Sequence, residues 1–69
     1  MNWLLILEKI RNRLEENSII VQNIFLEDSC RIRIHTDTLT NYSNLIDLAK
    51  PFKIGIDSEE GYESIIIFD

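Results

Sequence analysis

Two stretches of this chain, Ile19-Ile20-Val21-Gln22-Asn23-Ile24-Phe25-Leu26 and Ile65-Ile66-Ile67-Phe68, are apolar at odd and even positions alike. Successive residues of a β-strand point to opposite faces of its sheet, so strands of this kind belong where both faces are covered. A chain of 69 residues with only two helical stretches has enough helix for one face. The pattern therefore predicts either an open apolar face or a cover supplied by a partner.

Sixty-nine residues make one small domain, 1–69. A domain of this size buries only about 60% of the surface its unfolded chain exposes, so its own core is thin. Cys30 is the only cysteine, which excludes a disulfide within the chain and fits a reducing, cytoplasmic setting. The apolar run Trp3-Leu4-Leu5-Ile6-Leu7 falls far short of the roughly 20 residues a membrane span needs, and no basic segment precedes it as in a signal peptide. It reads as the start of a core helix.

The formal net charge of −5 is unevenly spread. Acids and bases balance over residues 1–36, whereas residues 37–69 set seven acids against Lys50 and Lys53. Such a field repels nucleic-acid phosphates and suits a basic partner, or simple solubility. The richness in Ile and Asn is of the kind AT-rich genomes encode, those of phages and mobile elements among them.

Trp3, Ile6, Leu7, Ile10 and Leu14 recur on one face of a 3.6-residue helix, which predicts a first helix over 3–16 with Asn2 as its N-cap. Asn17 and Ser18 end it, and the β-branched residues that follow suit a strand. A second strand, Cys30 to His35, alternates cleanly, and Glu27-Asp28-Ser29 offers the turn of a hairpin. Setting Leu26 against Ile32, Ile24 against Ile34 and Glu27 against Arg31 gives two apolar pairs and one of opposite charge, the best register available. A weaker helix is expected over 41–50, on Tyr42, Leu45, Ile46 and Ala49, with Leu39 as a staple before it and Pro51 as its stop. Phe52 to Asp57 forms a third strand, Ser58 to Gly61 a turn, and Asp57 opposite Tyr62 sets Ile54 against Ile65.

These elements predict an α+β fold of two layers, αββαββ, with two helices on one face of a four-stranded mixed sheet. The doubly apolar first and fourth strands suit the centre, giving the order 2-1-4-3, with 1-2-3-4 as the alternative.

Chemistry is sparse. Cys30 and His35 differ in strand parity and cannot form a nucleophile–base pair on one face. No Cys-x-x-Cys, His pair or phosphate-cradling glycine loop is present, and the acids before Gly61 lack the length and late Glu of a calcium loop. The reading is of a protein that is not an enzyme and needs no metal or cofactor.

The sharper expectation concerns the far sheet face, where the registers gather Val21, Phe25, Tyr62, Ile66 and Phe68, bordered by Arg33, His35 and Lys53. Exposed apolar groups on this scale mark an interaction surface. The sequence thus points to a small acidic protein-interaction module, a regulator or inhibitor that binds another protein or pairs with a second copy of itself, with Glu59, Glu60 and Glu63 steering a basic target. The alternative is a single-stranded RNA-binding accessory protein, its bases stacked on Phe25, Tyr62 and Phe68 and its phosphates met by Arg33 and Lys53. The acidic total argues against nucleic acid, and nothing calls for a membrane.

Overall fold

The computed structural model describes residues 1–59 and 61–69. In chain order the elements are α1 (Trp3–Glu16), β1 (Asn23–Asp28), β2 (Arg31–His35), α2 (Thr38–Leu48), β3 (Lys53–Glu59) and β4 (Tyr62–Phe68). This is the α+β arrangement of two helices and four strands that the residue pattern predicts.

Helix α1 begins where the Asn2 side chain accepts from the Leu5 amide at 3.2 Å. It buries Trp3, Leu7, Ile10 and Leu14, with Ile6 partly covered beside them. It stops in a Schellman arrangement: the Ser18 amide donates to Glu15 and the Ile19 amide to Leu14. Ser18 takes the left-handed φ of +56° that this ending requires.

Helix α2 starts three residues earlier than Asn41 because Asp37 caps it, accepting from the Leu39 and Thr40 amides. Its buried face is Thr38, Asn41, Leu45 and the following Ala49. Polar Thr38 and Asn41 can be buried because each is hydrogen-bonded, Thr38 to Glu63 and the Asn41 amide to Thr36 Oγ1 at 2.5 Å. Leu39 is no staple, being 95% exposed, and Ile46 is also turned outward. Arg13 of α1 donates to the Leu48 carbonyl at 2.6 Å, closing the C-terminal end of α2.

The sheet is antiparallel throughout rather than mixed, and its order is β1-β2-β4-β3, neither 2-1-4-3 nor 1-2-3-4. Helix α2 carries the chain from β2 to the far edge, where β3 lies, and β4 returns into the space between them. This is a split β-α-β unit. Strand β1 falls at an edge because Ile19 to Gln22 are outside the strand: Ile19 and Val21 pack against the core and Ile20 is 88% exposed. Their double apolarity reflects a packed connection, not a two-faced strand.

Leu26 meets Ile32 and Ile24 meets Ile34, as the apolar pairing predicts. Glu27 does not oppose Arg31: Asp28 does, and a bulge between Leu26 and Asp28 sets Glu27 free of a cross-strand partner. In the second hairpin Ile54 faces Ile67 and Ile56 faces Ile65, a slip of two residues from the expected pairing. Two residues is one full period of a strand, so every side chain keeps its face. Ser58 and Glu59 are still paired, with Glu63 and Tyr62, so the turn is shorter than Ser58 to Gly61. Gly61 has φ +83°, and Glu60 lies outside the described residues.

The core is centred on a quartet from the two middle strands, Ile32 opposite Ile67 and Ile34 opposite Ile65, all fully buried. Each such side chain contributes about 1.5–3 kcal/mol of transfer free energy, an upper bound for a real unfolded chain. Trp3 and Phe52 close one end, their rings 5.2 Å apart.

Candidate interaction surface

Both helices pack on the face of Ile32, Ile34, Ile65 and Ile67, and no other element described covers the opposite one. Strand alternation puts Phe25 on that open face from β1, Arg31, Arg33 and His35 from β2, Tyr62, Ser64, Ile66 and Phe68 from β4, and Lys53, Gly55 and Asp57 from β3.

Arg33 is its organising residue. Its side chain is only 11% exposed, although it stands on the uncovered side of the sheet. Its Nε donates to Glu27 Oε1 and its Nη2 to Glu27 Oε2, both at 2.9 Å, a bidentate fork made possible by the bulge. Its Nη1 reaches across β4 to Asp57 Oδ2 of β3 at 3.0 Å and to Ser64 Oγ at 2.5 Å. The hydrogen-bonded Glu27 carboxylate raises the guanidinium's pKa above its ordinary value; desolvation opposes this and Asp57 adds to it. The charge is thus neutralised within the sheet and held permanently protonated.

Aromatic groups flank this network. The Phe25 and His35 rings meet edge to face at 5.4 Å between centroids. Phe68 lies against Gly55, where a Cβ would stand 3.6 Å from its Cε1. Phe25, Ile66 and Phe68 are half-buried by these neighbours, while Tyr62 is 78% exposed. Between Phe25, Arg33, His35, Tyr62 and Ser64 the surface sinks into an open depression of about 530 Å³.

Seven of the eight residues singled out from the sequence share this face: Phe25, Arg33, His35, Lys53, Tyr62, Ile66 and Phe68. Val21 does not, since it precedes β1 and packs on the core. Lys53 stands exposed at the end of β3, in register with Phe68. That Glu27, Asp57 and Ser64 bind Arg33 was not anticipated. The available signal was the cation itself: an arginine on a strand flanked by isoleucines calls for carboxylates somewhere in the sheet.

Cys30 is exposed at the tip of the first hairpin. Among the described residues no group of three or more His, Cys, Asp and Glu side chains is placed to hold a metal ion, and no helix is long and apolar enough to cross a membrane. Comparison with models of known protein families, with curated proteins and with solved structures finds no match to this chain.

Proposed function

We propose that the protein is a small interaction module, a regulator or inhibitor that docks its open sheet face on another protein or on a second copy stacked face to face. One observation carries this reading: both helices lie on the same side of the sheet, which leaves Phe25, Ile66 and Phe68 partly exposed and Tyr62 largely so on the other. The lone exposed thiol of Cys30 fits action in a reducing compartment such as the cytoplasm.

The RNA-binding reading has less support. Arg33, its principal cation, is already committed to Glu27 and Asp57, and Arg31 lies 3.9 Å from Glu27. Phosphates would find chiefly Lys53 on a chain of net charge −5.

The experiment compares wild type with Phe25→Asp and Phe68→Asp by cross-linking in extracts of the native host and by light scattering over a concentration series. Both variants are expected to keep a cooperative unfolding transition and to lose the cross-linked species. Unchanged cross-linking by folded variants sinks the reading, and a gel shift of short single-stranded RNA at low salt replaces it with the alternative.

A further inference from the structure

The two edges of the sheet are finished differently. At β1 the outward backbone groups of Ile24 are occupied: its amide donates to Asn23 Oδ1 at 2.9 Å, its carbonyl accepts from Arg11 Nη2 at 3.2 Å, and the bulge between Leu26 and Asp28 breaks the regular ladder just beyond. These are the devices by which proteins stop an edge from pairing with another chain. Strand β3 carries none of them. It runs seven residues, Lys53–Glu59, pairs with β4 without a register shift, contains no proline, and has a neighbouring strand on one side only.

The sequence of that edge is complementary to itself. Read about Gly55, the segment Lys53-Ile54-Gly55-Ile56-Asp57 places a cation opposite an acid and an isoleucine opposite an isoleucine when the strand meets its own copy running the other way. A two-fold axis at Gly55, normal to the sheet, sets Lys53 against Asp57, Ile54 against Ile56 and Gly55 against Gly55. Sliding the pairing two residues one way sets Lys53 against Gly55 and loses the ion pair; sliding it the other way exchanges Asp57 for Glu59 but sets Ile54 against Ser58 and loses the Ile54–Ile56 pairs. Lys53 is exposed and forms no ion pair among the described residues, and Asp57 offers a carboxylate that is 32% exposed while Arg33 holds its Oδ2. Ile56 is 51% exposed although its parity turns it toward the helix layer, which is the exposure a residue shows when its cover lies beyond the edge.

From this we infer that β3 is a self-pairing edge: two copies of the chain join antiparallel through Lys53–Glu59 into one continuous eight-stranded sheet. The open faces of the two copies then lie side by side on the same surface of the dimer, doubling the width of the face described above. The inference shares Lys53, Gly55 and Asp57 with that face but concerns the backbone edge of β3, and does not depend on what docks there.

The test is site-directed cross-linking. In antiparallel strands, directly opposed Cα atoms are about 4.5–5.5 Å apart, within disulfide reach. A Cβ at position 55 makes only an ordinary contact with Phe68. In a Cys30→Ser background, Gly55→Cys is expected to oxidise to a covalent dimer, whereas Ser58→Cys, six residues out of register with its own copy, stays monomeric. Equal yields from the two positions overturn the register, and so does failure of a folded Gly55→Cys variant to cross-link. Independently, light scattering of the wild-type chain is expected to show a dimer whose dissociation constant rises at least tenfold in Lys53→Glu, which sets two acids opposite each other. A wild-type chain that remains monomeric into the high micromolar range overturns the inference whatever the cysteine variants do.

Discussion

The two faces of the sheet solve opposite problems with nearly the same residues. On the helix side Ile32, Ile34, Ile65 and Ile67 are dry and fully buried, and specificity comes from shape alone. On the open side the neighbours of those isoleucines are Arg33, Ser64, Ile66 and Phe68, and the deeply covered groups are a charge and the hydroxyl bonded to it. Side chains without a layer above them cannot exclude water by packing. Here they do so by pairing, Glu27 and Asp57 folding over Arg33 from both flanks. An uncovered face can thus be ordered without being dry, at the cost of fixing one guanidinium and two carboxylates in place.

That contrast is most directly broken on β4. Ile67→Ala empties a fully buried site and is expected to cost about 2–5 kcal/mol in urea unfolding, without a change in slope. Arg33→Met comes next, at about 1–3 kcal/mol: it strands Glu27 and Asp57, but both carboxylates are about one-third exposed and recover much of their hydration. Adding Glu27→Gln and Asp57→Asn to Arg33→Met should restore most of the loss, and a triple variant no better than the single would show that the arginine acts by packing alone. Ile66→Ala, one residue from Ile67 but on the open face, is expected to cost about 1 kcal/mol or less in the isolated chain. A cost equal to that of Ile67→Ala would mean the two faces do not differ.

The smallest effect lies outside both faces. Hydrogen bonds from the Thr40 hydroxyl and amide, then from Leu39, hold the Asp37 carboxyl below its ordinary pKa, with slight desolvation opposing them. A depressed folded-state value stabilises the protein above the unfolded pKa, and that contribution is lost as pH falls through the folded one. Asparagine caps a helix equally well but does not titrate there, so Asp37→Asn should flatten the acid limb of stability against pH while leaving neutral pH almost unchanged. Identical acid limbs would remove Asp37 from the account.

Much of this was legible in the residues, and the failures share a cause. The bounds of α1 follow from its apolar face and cap, and the pairs Leu26–Ile32 and Ile24–Ile34 follow from the faces they must share. The membership of the open face survived a wrong register in the second hairpin, because the slip was two residues and parity is all that a face depends on. Strand order was not legible. Arg33 marks β2 as an edge only if its charge needs water, yet Glu27 and Asp57, which remove that need, sit six and 24 residues away with nothing in their spacing to announce it. Val21 misled in the converse sense, its apolarity serving the core from a connecting segment. Likewise the buried face of α2 runs through Thr38 and Asn41, residues that pattern alone assigns to solvent.

The junction of β2 with β4 also sets the order in which this chain assembles. Each hairpin closes through a short turn and can form in microseconds, whereas joining Ile32 to Ile67 closes a loop of more than thirty residues and must wait for α2. Arg33 lies beside that seam, and its acids come from both sides of it: Glu27 from its own hairpin, Asp57 from the other. The first hairpin therefore carries a charge already half-satisfied, and the second completes it when the two dock. An arginine placed this way favours the one docking of the two halves that delivers its second carboxylate.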